Sequence, residues 1–137
     1  MQPTTNLRVA EQATKLAVAV YRMTSGFPAD ERFGLTAQMR RAAVSVGSNI
    51  AEGCGRRGNR ELLQFLYIAS GSASELAFQL QLASALGLEE KATIDATRTV
   101  LLSLQRMLNR LTQHLANRPA ARRKGSSEWA GRSSPTH

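Results

Sequence analysis

Residues 59–87 read NRELLQFLYIASGSASELAFQLQLASALG. Within them Leu62, Leu66, Ala69, Ala73, Leu76, Leu80 and Ala83 recur at alternating intervals of four and three. An α-helix turns once in about 3.6 residues, so this spacing returns every apolar side chain to one face. A strand would need alternation with period two. Asn59 is a good N-cap and Gly87 a C-terminal stop, so the spacing predicts a helix from Asn59 to about Leu86. Ala69, Gly71 and Ala73 lie midway along it, where small residues permit close approach of another backbone.

The same pattern continues outward on both sides. Downstream, Ile94, Thr97, Leu101, Leu104, Leu108, Leu111 and Leu115 form a further seam. Glu89 and Glu90 stand at its start and Arg106, Arg110 and His114 toward its end, the favourable signs for a helix dipole. Upstream, Leu35, Met39, Ala42 and Val46 make a stripe that reaches Asn49, with Ile50 beside it. That helix is predicted from Leu35 or Thr36 to Glu52, with Gly53 as a left-handed cap. Val9, Ala13, Leu16, Val20 and Met23 make another stripe, predicting a helix from Thr5 to Met23 with Thr5 or Asn6 as its cap. Ser25-Gly26-Phe27-Pro28 ends it, because proline cannot continue the hydrogen-bond ladder. A short turn through Asp30 and Glu31 follows, with Phe27 and Phe33 expected to pin it to the core. Long amphipathic helices with short connections imply an all-α, antiparallel up-down-up-down four-helix bundle over residues 1–117. Residues 118–137 lose the period and are expected to be a disordered basic tail.

Composition agrees with this reading. Of the 137 residues 42% are hydrophobic but only 5% aromatic, and Leu and Ala are strong helix formers. The net charge is +8 and the isoelectric point about 11.0, which favours anionic partners. The tail holds Arg118, Arg122, Arg123, Lys124 and Arg132 against Glu128, so 5 − 1 = +4 lies there and +4 in the helices. One cysteine, Cys54, allows no internal disulfide and suits a reducing compartment. The N-terminus lacks the basic and apolar regions of a secretory signal, and no apolar run is long enough for a membrane span, so a cytoplasmic location is expected.

Catalytic and metal-binding chemistry find little support. The histidines, His114 and His137, stand apart, and no cluster of metal-ligand spacing occurs. Cys54 could be a low-pKa thiol beside Arg56 and Arg57, but it has no base partner. No enzyme activity and no cofactor is expected. Gly53, Gly55 and Gly58 resemble a phosphate-cradling loop only superficially, because they lie between helices and follow no strand. The segment is either a flexible turn or an anion site, where free N–H groups at a helix start meet Arg56, Arg57 and Arg60. Arg40 and Arg41 form a solvated face, a phosphate contact or internal ion pairs, with Glu52 and Glu75 as partners. Glu75 is expected within the bundle, where a charge must be paired. Asn49 would then be a polar register pin, and Gln38, Arg41, Asn49, Glu52 and Glu75 a structural polar motif. In the tail, Arg122, Arg123 and Lys124 near Trp129 offer phosphate contacts and a stacking ring.

From Tyr21 to Gly87 the chain resembles a known bacterial family. The residues that carry the likeness are Phe27-Pro28, Phe33-Gly34-Leu35-x-x-Gln38-x-x-Arg41-Ala42-Ala43-x-Ser45-Val46, Asn49-Ile50-Ala51-Glu52-Gly53 and Phe65-Leu66-x-Ile68-Ala69-x-Gly71-Ser72-x-x-Glu75-Leu76. They are similar to the four helix bundle protein family, also called the 23S rRNA intervening-sequence protein family. The resemblance implies an antiparallel bundle, a homopentamer with a central channel, and genes embedded in ribosomal RNA intervening sequences. Related bundles, the accessory variability determinants of diversity-generating retroelements, are basic pentamers that bind a reverse transcriptase and nucleic acid. The first helix departs from the family in being Ala/Val-rich where the usual opening is aromatic-rich. Two functions are therefore expected: a non-catalytic oligomer that binds RNA or another nucleic acid, or a protein-interaction scaffold such as the accessory subunit of a reverse transcriptase.

Overall fold

Leu66, Ala69, Ala73, Leu76, Leu80 and Ala83 are fully buried, as their spacing requires. The computed structural model describes residues 3–118. It contains α1 (Pro3–Thr24), a short 3-10 turn (Ala29–Glu31), α2 (Leu35–Cys54), α3 (Asn59–Ala85) and α4 (Lys91–Ala116), with no strand among the described residues. Each helix packs on two others: α1 on α2 and α4, and α3 on α2 and α4. Their seams share one core, with Leu16 and Val20 of α1, Met39 and Val46 of α2, Leu76 and Leu80 of α3, and Leu101, Leu104 and Leu108 of α4. The described residues form an all-α fold with four α-helices.

The contacts between helix ends are specific. Arg40, early in α2, donates to the last turn of α1. Gly53, late in α2, lies against Leu62 and Phe65, early in α3. The side chain of Glu89, just before α4, lies against Gly26, just after α1. Midway, the Gln12 amide donates to the Val100 carbonyl at 3.2 Å, tying α1 to α4.

Several helix ends differ from the expectation. The first helix begins at Pro3, so Thr5 and Asn6 are helical rather than caps. Gly58 takes the N-cap position of α3 with φ −106° and ψ 149°, which makes Asn59 the first helical residue. Gly87 does end α3 in the left-handed region, with φ 65°. The N–H of Leu88 reaches the Ala83 carbonyl at 3.1 Å and that of Gly87 the Ser84 carbonyl at 3.1 Å, a Schellman closure. Phe27 is buried, but Phe33 is 88% exposed and stacks only with Arg32, so one aromatic pins the turn instead of two.

Gly53 is not a left-handed cap. It is helical and buried, and α2 runs on to Cys54. Its lack of a side chain serves packing: a Cβ there would lie 2.9 Å from the Phe65 Cβ and 3.3 Å from the Leu62 carbonyl oxygen. Gly47, one face away, would meet only the Ala13 Cβ at an ordinary 3.7 Å. Opposite outcomes follow for the same substitution. Gly53→Ala should destabilise by about 1–3 kcal/mol, because overpacking outweighs the gain in helix propensity. Gly47→Ala should stabilise by about 0.5–1 kcal/mol. Urea denaturation followed by far-UV circular dichroism reads both; equal signs would overturn the packing account.

Candidate functional site

The basic turn between α2 and α3 is built by the backbone. The N–H of Gly55 bonds to the carbonyls of Ala51 and Glu52, both at 3.2 Å, and that of Arg56 to Gly53 at 3.1 Å. The chain then reverses within Arg56, Arg57 and Gly58 to begin α3. No side chain caps that helix start, so its first N–H groups are free of a side-chain acceptor. Arg56 donates to Glu52 at 2.8 Å and lies over the Phe65 ring at 5.0 Å. Arg57 and Arg60 are exposed and enter no ion pair among the described residues. Beside the turn, Ser48, Ala51, Glu52, Gly55 and Arg56 line an open groove.

Arg40 does not join this cluster. Its Nε donates to Thr24 Oγ1 at 2.9 Å, and its Nη2 to the Tyr21 carbonyl at 3.3 Å and Ser25 Oγ at 3.4 Å. The guanidinium lies 4.6 Å from the centroid of the Tyr21 ring. Arg40 thus caps the negative C-terminal end of α1 and stacks on an aromatic face. It stands fourteen residues before Cys54, the last residue of α2, about 21 Å at about 1.5 Å per residue, and Arg56 lies in the turn beyond.

The polar motif is also placed differently from the expectation. Gln38, Arg41 and Glu75 are exposed, and with Ala42 and Ser45 they line a groove between α2 and α3. Glu75 is therefore not in the bundle interior: it lies on the outer side of α3, away from the buried Ala73 and Leu76. The ion pairs expected from Arg40 or Arg41 to Glu52 or Glu75 are absent among the described residues; Glu52 pairs with Arg56 instead. Asn49 is half-buried and donates within its own helix, to the Ser45 carbonyl at 2.8 Å and Ser45 Oγ at 3.2 Å. The polar link between α2 and α3 is the hydroxyl pair Ser45–Ser72 at 2.9 Å. Sequence reasoning gave these serines no role, because a serine on a helix flank has no distinctive spacing.

The thiol of Cys54 is half-buried, and burial pushes its pKa up, against the low-pKa thiol that the neighbouring arginines suggested. His114 is exposed in the last turn of α4. Arg122, Arg123, Lys124 and Trp129 lie outside the described residues, as does the tail from 119 onward. No described helix is long and apolar enough to cross a membrane.

With this arrangement in view, residues 5–110 match the family described as 23S rRNA-intervening sequence protein. The chain belongs to that family. The match takes in α2 and α3 whole, α1 from Thr5 and α4 as far as Arg110, and so extends beyond the Tyr21–Gly87 stretch that carried the sequence likeness. A solved structure of similar fold is that of a protein of unknown function from the S23 ribosomal protein family of Bacteroides thetaiotaomicron VPI-5482. The two are 18% identical and superpose with a TM-score of 0.71, over 80% of this chain and 98% of that one. No curated protein matches the chain.

Two of the family member's side chains give direct tests. Arg40→Ala should lower stability by about 1–2 kcal/mol, since it removes charge-assisted bonds and a favourable dipole contact. Arg40→Lys should recover only part of that, because an ammonium cannot both fork and stack; equal stability of the three proteins would remove Arg40 from the α1–α2 corner. For Cys54, a raised pKa leaves less thiolate at a given pH. Iodoacetamide should therefore label the folded protein more slowly than the urea-unfolded chain at neutral pH, with the rate climbing as the pH rises above the ordinary thiol range.

Proposed function

We propose that this protein is a non-catalytic, cytoplasmic, homo-oligomeric helical bundle that binds nucleic acid, with RNA the favoured ligand. The bundle is taken as antiparallel and up-down-up-down. The end contacts support that topology: the start of α2 meets the end of α1, the end of α2 meets the start of α3, and Glu89 before α4 meets Gly26 after α1. A pentamer is the assembly expected from the family resemblance.

The observation that carries the binding reading is an excess of positive charge at one end of such a bundle. One end gathers Arg8 of α1, Arg56 and Arg57 of the turn, Arg60 of α3, and Arg110 and Arg118 at the close of α4. Glu11, Glu52 and Glu61 are the acids near it, and Glu52 is already paired with Arg56. The other end carries Asp30, Glu31, Glu89 and Glu90 together with Arg22, Arg32, Arg40 and Lys91, so its charges offset one another. Positive charge is therefore concentrated beside the uncapped start of α3, where free N–H groups and the helix dipole also favour a phosphate. The family's ribosomal-RNA context, known from its description, makes RNA the polyanion to test first.

Anisotropy of a labelled structured RNA and of duplex DNA across a salt series tests this. Affinity should fall steeply with salt as counterions are released. Replacing both Arg57 and Arg60 with alanine should weaken binding to every sequence and reduce the salt slope by about 2, roughly one per lost phosphate contact. No binding at low salt would sink the nucleic-acid reading and turn the search to a protein partner such as a polymerase.

A further inference from the structure

We infer that the outer face of α2 and the outer face of α3 are the two halves of one contact between copies of this chain, joined by Arg41 of one copy and Glu75 of the next. This inference rests on the self-association proposed above and names the surface that would carry it.

The pattern is visible on both helices. Besides its buried seam, α3 has a second, exposed row at the same alternating spacing on the opposite side: Ile68, Gly71, Glu75 and Phe78. Ile68 is 52% exposed and Phe78 63%, which is a large apolar surface to leave in water on a single helix. A helix apolar on two sides is one that has two neighbours to cover. On α2 the corresponding outward row is Ala37, Arg41, Val44, Ser48 and Ala51. Apart from Arg41 and the exposed Val44 it is made of small side chains, and open grooves run along it. The large side chains of α3 thus have, on α2, a row of matching size to enter.

Charge complements the shape. Each row carries one formal charge, Arg41 on α2 and Glu75 on α3, and neither has an ion-pair partner among the described residues. Both line the same groove, so they stand at the same height along the molecule. A rotation about an axis parallel to the helices preserves height. It brings Arg41 of one copy level with Glu75 of its neighbour, Ile68 level with Ser48 and Phe78 level with Ala37. Such a head-to-tail contact uses different faces of the two copies, and it closes into a ring when the rotation divides the circle. Like charges facing across an interface oppose association, so the pair is well suited to a reversal test.

The test compares Arg41→Glu, Glu75→Arg and the double reversal with the wild type, by light scattering after size exclusion over a range of concentrations. Both residues are exposed, and circular dichroism checks that each variant keeps its helices. Each single reversal should dissociate at a concentration at least tenfold higher than the wild type, and the double reversal should regain the wild-type mass. Tagged Arg41→Glu chain mixed with untagged Glu75→Arg chain should retain it on the affinity resin, since glutamate at 41 then meets arginine at 75 of the other copy. That mixture cannot repair a pair within one chain, so its failure to associate would overturn the inference even if the double reversal assembled. Single reversals that assemble like the wild type would place the contact elsewhere and leave self-association standing. A wild type that is monomeric throughout would remove both.

Discussion

The close approach of α2 to α3 sets the position of everything else in this molecule. It requires the absence of a side chain at Gly53, where even a methyl group would meet Phe65 and the Leu62 backbone. It brings the Ser45 and Ser72 hydroxyls to 2.9 Å, which fixes the height of one helix against the other. With the two axes this close, long polar side chains on the facing flanks have no room inside. Gln38, Arg41 and Glu75 are turned outward to line a groove. The connection between the helices is correspondingly short, so the arginines of the turn are held at one end of the domain and cannot fold back over the core.

The helices themselves were legible because burial imposes a period that the chain must display. Each seam read from the sequence, from Val9–Met23 in α1 to Ile94–Leu115 in α4, is the buried face in the structure. Helix ends were less legible. Pro3 tolerates the first turn of a helix, so nothing forced α1 to start at Thr5, and Gly53 could continue α2 as easily as stop it. Glycine's meaning depends on what passes nearby, and that is a property of the neighbouring helix.

The charged residues were the least legible part, and for a physical reason. Periodicity says which side of a helix is apolar but not which neighbour lies beside a given flank. Arg40 and Arg41 are adjacent in sequence and about 100° apart around the axis. That angle sends Arg40 to the carbonyl end of α1 and leaves Arg41 facing out beside Glu75. Glu75 was expected inside because it follows two serines and a glycine in a small-residue stretch, yet its outward direction follows from lying between the buried Ala73 and Leu76. The outer row of α3 was equally open to being read and was obscured by the strength of the inner one.

The start of α3 runs against the ordinary preference of a helix. Cations destabilise the positive end of the dipole, and that end would be better served by the acidic residues that precede α4. Here Arg56, Arg57 and Arg60 surround it, with Glu61 the single acid of the first turn and no side-chain cap. Only Arg56 is relieved, by Glu52 and by the face of Phe65. No feature of the core needs this arrangement, since the apolar seam of α3 begins at Leu62 whatever the charge of the residues before it. Local choices that oppose the stability of their own element concentrate where a chain meets a ligand. An anion bound at this end would convert each of the opposing terms, the dipole, the free N–H groups and the mutual repulsion of the arginines, into attraction. That reversal of sign is the physical content of the nucleic-acid reading, and it distinguishes the turn from the basic residues scattered over the rest of the surface.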